Sequence, residues 1–359
     1  MHLHLKTLCF PLIFLLAITL QAQGPSNAFK RIQKQVEKIC EEKKIPSLAM
    51  YIHQPNDSLA FTYHNEAVQP QEIYGIGSTT KMLASILIFK LIEAEEIALD
   101  DPVEIFIPQI KTIEGWNILT LQHLLNHTSG ISDYTQHPQW IRQVMQGKAP
   151  QTFEEKFALV HDTLGKVGTF AYSNSNFLLL EQVVESVTEK AFEAVWQAFY
   201  KEHGFPTIQM GNDQASLEGY FGQTLEQVSN VSSWKEYYGF DGGAYIRPAV
   251  MNQLMQRIFW EKHILTDRSI EQMKAWVPMG EMTIPIGKGQ ITSYGHGLMK
   301  LVYKNKAYIG HMGSTLQYQS FVFVHEKEQT RISLFTNCSG PYFNRIFFQE
   351  IVPAILDKL

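Results

Sequence analysis

Apolar positions recur along this chain with two periods, and the periods change in a definite order. Phe29, Ile32, Val36, Ile39 and Cys40 fall three to four apart, so a first amphipathic helix is expected to about Lys43. SLAMYIHQ (47–54) and LAFTYHNEAV (59–68) then read as two strands joined by the turn residues Pro55, Asn56 and Asp57. A continuous apolar run follows in YGIGSTTKMLASILIFKLIEAEE, residues 74–96. From Asp101 to about Trp260 the pattern is mostly helical, clearest at Leu121–Leu125, Thr152–Leu164, Asn176–Phe199 and Pro248–Glu261. Past Tyr294 the aromatic and β-branched residues of strands return in YGHGLMKLVY, KAYIGHMG, YQSFVFVHE and TRISLFTN. A last helix is expected from Tyr342 to Leu359, kinked at Pro353.

Strands therefore bracket a helical insert. This predicts an α+β fold in which residues 23–100 and 265–359 build one antiparallel sheet, flanked by the first and last helices. Residues 101–264 are expected to form a mostly helical lobe, with a ligand cleft between the two. The segment 1–22 reads differently. MHLHLKTLCFPLIFLLAITLQAQ has one lysine, Lys6, ahead of an apolar stretch from Leu8 to Leu20, and a small residue, Ala22, near its end. This is the pattern of a cleavable secretory signal peptide, which predicts a secreted or periplasmic protein; an uncleaved membrane anchor is the competing reading.

Composition narrows the picture further. The 359 residues are 45% apolar and 18% charged, with a net charge of −5 and no long basic block, which argues against a nucleic-acid partner. Of three cysteines, Cys9 lies in the signal segment. Cys40 and Cys338 show no metal-ligand or CxxC spacing and read as two buried thiols, with pairing in an oxidising compartment as the alternative.

The candidate chemistry starts at Ser78 and Lys81. Gly75 and Gly77 permit a sharp turn into the apolar helix, at whose start unpaired N–H groups favour a developing negative charge. Lys81 stands one turn beyond Ser78, on the same face. An ordinary lysine has a pKa near about 10.4 and is almost wholly charged at neutral pH; desolvation against Met82–Leu91 would bring it into the range of a useful base. The spacing alone is weak, since Ser-x-x-Lys arises about once or twice by chance in a chain of this length. A second copy, Ser232 and Lys235, lacks both the glycines and the apolar helix. Tyr172 and Asn174 precede another apolar helix; the tyrosine can carry a proton, and the asparagine can orient either a substrate amide or the lysine. His311, Gly313 and Ser314 end a predicted strand, where a glycine admits close backbone approach and Ser314 can offer its N–H. His123 and His127 have the i, i+4 spacing of a zinc pair, but with no evident third ligand no metal or other cofactor is expected.

Taken in order, S-T-T-K, Y-S-N and H-M-G-S resemble the penicillin-recognising serine hydrolases, whose Ser-x-x-Lys element is a known signature. LQHLLNHTSGISDY, FDGGAYI, YGHGL and the closing GHMGST…LFTN resemble the branch related to class C β-lactamases, over nearly all of the chain after the signal segment. The resemblance implies a β-lactamase/transpeptidase-like fold and an acyl-enzyme on Ser78. It implies that Lys81 and Tyr172 share the proton work, that Asn174, His311, Gly313 and Ser314 bind substrate, and that the backbone N–H groups of Ser78 and Ser314 form the oxyanion hole. Many members have Lys-Thr-Gly where this chain has His311-Met312-Gly313, so a partly charged imidazole is expected to replace a permanent cation. That favours a D-alanyl-D-alanine carboxypeptidase, D-aminopeptidase or esterase acting on a small acyl substrate over a β-lactamase. The alternative of another class is a catalytically silent binder of peptidoglycan or peptides.

Overall fold

The computed structural model describes residues 24–66, 72–161, 164–211, 218–234 and 239–359. The segment 1–22, expected to be a signal peptide, and Lys235 lie outside the described residues. Helix α1 (Asn27–Glu42) begins where Ser26 Oγ accepts the Phe29 N–H, and it buries the expected stripe Phe29, Ile32, Val36 and Cys40. Strands β1 (Ser47–Gln54) and β2 (Asp57–His64) form a hairpin whose register pairs Gln54 with Asp57 across Pro55 and Asn56.

These two strands join seven later ones: β3 (Val277–Pro278), β4 (Ile284–Ile286), β5 (Gly289–Tyr294), β6 (Met299–Tyr303), β7 (Lys306–Ser314), β8 (Gln319–His325) and β9 (Thr330–Thr336). The order across the sheet is β2-β1-β9-β8-β7-β6-β5-β3, with β4 also on β5, and every pairing is antiparallel. The first and last thirds of the chain thus share one sheet, as the strand pattern predicts. β9 is buried along its whole length because both faces are covered. On one face lie α1 and the C-terminal segment, around Ile346, Phe347, Ile351 and Ile355. On the other lie helix α2 (Thr80–Glu93), helix α3 (Asn174–Thr188) and helix α4 (Pro248–Phe259), α4 resting on β1 and β9.

Three expectations need correction. The Asn176–Phe199 helix is two helices, α3 and Phe192–Glu202; Glu189 turns left-handed at φ 54, and Glu185 Oε1 takes the Phe192 N–H at 3.0 Å. The Thr152–Leu164 helix shortens to Phe153–Phe157, started by a Thr152/Glu155 capping box. At the C-terminus, α5 (Pro341–Ile346) passes through a π-helical stretch, Phe347–Ile351, into α6 (Val352–Leu356). The single helix expected there is thus interrupted just ahead of Pro353, whose ring and missing N–H break the regular backbone ladder. The middle of the chain also holds short strands, among them Tyr220–Thr224, parallel to Cys338–Ser339, and Ala244–Ile246, antiparallel to Tyr74–Gly75. Cys40 and Cys338 are buried and unpaired. Among the described residues no helix is long and apolar enough to cross a membrane.

Candidate active site

Helix α2 is apolar all round, and Met82–Phe89 are buried without a break, so it runs through the interior rather than over the surface. A short 3-10 turn, Gly77–Thr79, leads into it. From Tyr74 to Phe89 every residue is buried except Ser78. The chain thus presents one hydroxyl at the mouth of a packed segment.

The turn is pressed against the end of β7. The β6 pairing of β7 stops at Gly310, so residues 311–314 keep β8 on one side and face the Ser78 turn on the other. Gly77 has φ 50, and a Cβ there would lie 3.0 Å from Ser314 N. A Cβ on Gly313 would collide with the Ile76 carbonyl and lie 2.9 Å from Ser78 N. Both positions therefore require glycine, one for its backbone conformation and one for space. Thr79 Oγ1 and Ser320 Oγ lie 2.7 Å apart, and Ser320 Oγ donates to the Ile76 carbonyl at 2.7 Å, tying turn to sheet.

Lys81 has no exposed surface. Its Nζ lies 3.2 Å from Ser78 Oγ and 2.6 Å from Asn174 Oδ1, and it also donates to the Asp241 carbonyl. The Asn174 amide is oriented by its other end: Nδ2 donates to the Asp133 carboxylate at 3.0 and 3.3 Å and to Thr135 Oγ1 at 3.1 Å. A carboxylate only accepts, so Asn174 Oδ1 must face the lysine. Two of the three neighbours of the amine are thus carbonyl oxygens that accept only. In the neutral amine these take the two N–H groups, and the lone pair points to the third neighbour, the Ser78 hydroxyl. Burial pushes Lys81 down to about 8, against the opposing pull of the Asp241 and Asp133 carboxylates. At pH 7 about one lysine in ten is then neutral, against roughly one in a few thousand for a free lysine.

Tyr172 lies beside this group, its ring centre 5.2 Å from Lys81 Nζ. Its hydroxyl is buried and, among the described residues, has no hydrogen-bond partner of full geometry. Burial raises its phenol, while the nearby Ser78 hydroxyl pulls the other way. With Lys81 lowered and Tyr172 raised, the amine is the base of this pair and the phenol holds its proton. The His127 ring packs on Tyr172 at 4.2 Å and on Tyr294 at 4.8 Å. His127 Nδ1 accepts the Ser173 N–H at 3.2 Å, and burial with nearby Lys81 keeps the ring neutral. His123 instead caps its own helix at Thr120, and among the described residues no cluster of three or more metal-ligating side chains occurs.

His311 departs from the expected role. It is fully buried, with Nε2 2.9 Å from the Tyr294 hydroxyl and Nδ1 2.6 Å from the Met312 carbonyl. Nδ1 must therefore carry the proton and donate, leaving Nε2 to accept from the tyrosine. Burial, then the neighbouring Lys81, drive the imidazole down to about 3. A partly cationic ring reading a carboxylate is replaced by a neutral one that braces β7 against β5.

A model of the Beta-lactamase family matches residues 30–347. The chain belongs to the Beta-lactamase family. Teichoic acid D-alanine hydrolase of Staphylococcus aureus (strain MRSA252) is 26% identical over 205 residues, covering 53% of this chain and 46% of that protein. Protein flp of Staphylococcus aureus (strain MW2) is 24% identical over 289 residues, 77% of this chain and 55% of its own length. The chain spans about half the length of these curated relatives. Among solved structures, D-amino acid amidase from Ochrobactrum anthropi SV3, complexed with D-phenylalanine, superposes with a TM-score of 0.79 at 17% identity, covering 93% of this chain and 99% of that one. D-stereospecific amidohydrolase from Streptomyces sp. gives 0.73 at 20% identity, over 86% and 94%. These likenesses show the shared fold.

The structure brings Ser78, Lys81, Tyr172 and Asn174 together and sets the Gly313–Ser314 backbone against them. Asn174 contacts the lysine, one of the two alternatives its position left open. Sequence reasoning missed two acids: Asp133, which orients Asn174, and Asp241, whose carbonyl holds Lys81. Each lay inside a quoted motif, ISDY and FDGGAYI, and the only signal was a lone acid beside a turn.

Proposed function

We propose that this protein is an exported serine hydrolase that cleaves an ester or amide of a D-amino acyl group through an acyl-enzyme on Ser78. The observation that carries the reading is the amine of Lys81: buried, two N–H groups taken by carbonyl oxygens, and facing the one accessible residue of a sealed segment. Lys81 takes the proton of Ser78 as Oγ attacks the substrate carbonyl carbon. The N–H groups of Ser78 and Ser314 receive the oxyanion, an arrangement typically worth about 10² to 10³ in rate for each donor. The leaving group departs with a proton from Lys81 or Tyr172, and water then releases the acyl group. The D-amino acyl preference is supported by the printed activities of Teichoic acid D-alanine hydrolase and D-amino acid amidase, to which the chain is similar. The neutral, buried His311 argues against penicillin hydrolysis, since it offers no permanent cation for the substrate carboxylate. Export rests on the signal-like pattern of residues 1–22 and is tested by the N-terminal mass of the protein recovered from its host.

The direct test is labelling. A fluorophosphonate and a fluorescent penicillin are incubated with the protein and the adduct mapped by mass spectrometry, beside turnover of D- and L-alanyl esters and amides and a chromogenic β-lactam. A label on Ser78, absent in Ser78→Ala, with D-alanyl turnover above L-alanyl, is expected. Folded protein that neither labels nor turns over any substrate favours a silent binder instead. Rapid β-lactam turnover with none of the D-alanyl compounds returns the reading to a β-lactamase.

A further inference from the structure

Behind the pocket lies a third acid, after Asp133 and Asp241, that the reaction above does not use. Glu181 sits on α3, seven residues beyond Asn174, and is 4% exposed. Its Oε2 accepts the Phe240 N–H at 3.1 Å. The same carboxyl occupies the space beside Gly239, where φ is 139 and a Cβ would collide with Glu181 Oε2. The turn closes on itself through the Gly243 N–H, which donates to the Gly239 carbonyl at 2.9 Å, and it is tied to α2 by the Ala244 N–H, which donates to Thr80 Oγ1 at 3.1 Å. Directly after Phe240, Asp241 gives its backbone carbonyl to Lys81 and its carboxylate to the Tyr134 hydroxyl. Lys156, itself buried, has its Nζ 6.0 Å from the centre of the Tyr134 ring. Both carbonyl acceptors of the Lys81 amine are therefore held from one helix: Asn174 at its start, and Asp241 through Glu181.

We propose that Glu181 is a positioning residue for acylation, holding the Phe240 peptide so that the Asp241 carbonyl stays on Lys81 and the amine keeps its lone pair turned to Ser78. The inference rests on the serine-hydrolase reading above. A buried N–H that loses its acceptor is costly, so without the glutamate the turn relaxes toward solvent. Water then reaches Lys81 and relieves the desolvation that depresses it. The groups that face the amine are the Asp241 and Asp133 carboxylates, the Tyr172 phenol and the neutral rings of His127 and His311. Those that act on Glu181 are Lys156, Asp241 and Glu185.

The test compares two variants of the full chain. Burial raises the Glu181 carboxyl to about 8; Glu181→Gln keeps an oxygen for the Phe240 N–H and removes that titrating proton, while Glu181→Leu keeps much of the volume and removes the acceptor. The Leu variant is expected to lower the rate of Ser78 labelling by a fluorophosphonate about 10- to 100-fold, part of the roughly 10² to 10⁴ a placed base contributes. Its rise of labelling with pH is expected to move to higher pH, toward an ordinary lysine. The Gln variant is expected within about threefold of wild type, with its rise unmoved. A Leu variant with the wild-type rate and pH dependence overturns the proposal, as does a Gln variant that falls as far as Leu. Should the Leu variant not fold, Glu181→Asp, which draws the carboxyl back by one carbon, carries the same expectation at about 3- to 10-fold. Titration of the Lys81 Cε resonance by ¹³C NMR reads the amine without turnover. A midpoint raised in Leu but not in Gln, in a protein whose wild type never labels, defeats the hydrolase reading and the acylation role with it, while upholding the hold of Glu181 on the Lys81 amine. An unmoved midpoint in Leu defeats this one alone.

Discussion

The cap built from α1 and the C-terminal helices and the pocket at the start of α2 both take side chains out of water, but for opposite ends. Under the cap, Phe29, Ile32, Val36, Phe347, Ile351 and Ile355 meet one face of the sheet, and each buried apolar side chain stabilises the fold by about 1.5–3 kcal/mol. In the pocket, Lys81, Asp133, Asn174, Glu181 and Asp241 are buried together or nearly so. Polar groups are costly to bury, and they are tolerated there only because each has found partners. The cap should therefore govern stability and leave chemistry alone, and the pocket should do the reverse.

The sharpest way to break that comparison is Lys81→Met. The rate of acylation should fall about 10² to 10⁴-fold, read by fluorophosphonate labelling, while the protein stays folded. Stability against pH carries a further signature. The folded pKa of Lys81 is about 8 and its ordinary value 10.5, so between those values the unfolded chain binds more protons than the folded one. Wild-type stability should then climb by about 3 kcal/mol, relative to Lys81→Met, as pH rises from 8 to 10.5. Urea melts across that window check it; parallel curves would mean the amine is not desolvated. Next is Phe29→Ala, expected to cost about 3–5 kcal/mol in a urea melt with kcat/KM within twofold of wild type. A loss of rate in a fully folded sample would couple cap to pocket. The smallest effect is expected at His311. Because its ring is neutral, KM for acidic and for neutral substrates should show the same pH dependence between pH 6 and 8. A selective rise for acidic substrates would restore a cationic imidazole.

Much of the pocket was legible because its signals are local. Ser78 and Lys81 are one turn apart, and the glycines that shape their turn and the apolar run that buries the lysine adjoin them in sequence. Tyr172 and Asn174 likewise lie at the start of their own apolar helix. Asp133 and Asp241 were not legible, since the groups they serve lie far along the chain and a lone acid in a loop usually faces solvent. The break after Thr188 escaped for a related reason: apolar spacing continues through Phe192 and Trp196 on the next helix, and only the left-handed Glu189 interrupts it.

By itself, the order of periods along the chain determined the single sheet built from both ends, the first and last helices laid on it, and the pairing of a hydroxyl with an amine. These follow from spacing, which is written residue by residue. Only the tertiary structure decided which groups are charged: that Lys81 is lowered to about 8, that Tyr172 keeps its proton, and that His311 is a neutral brace. Protonation depends on desolvation and on partners across space, and those exist only once distant segments have packed together.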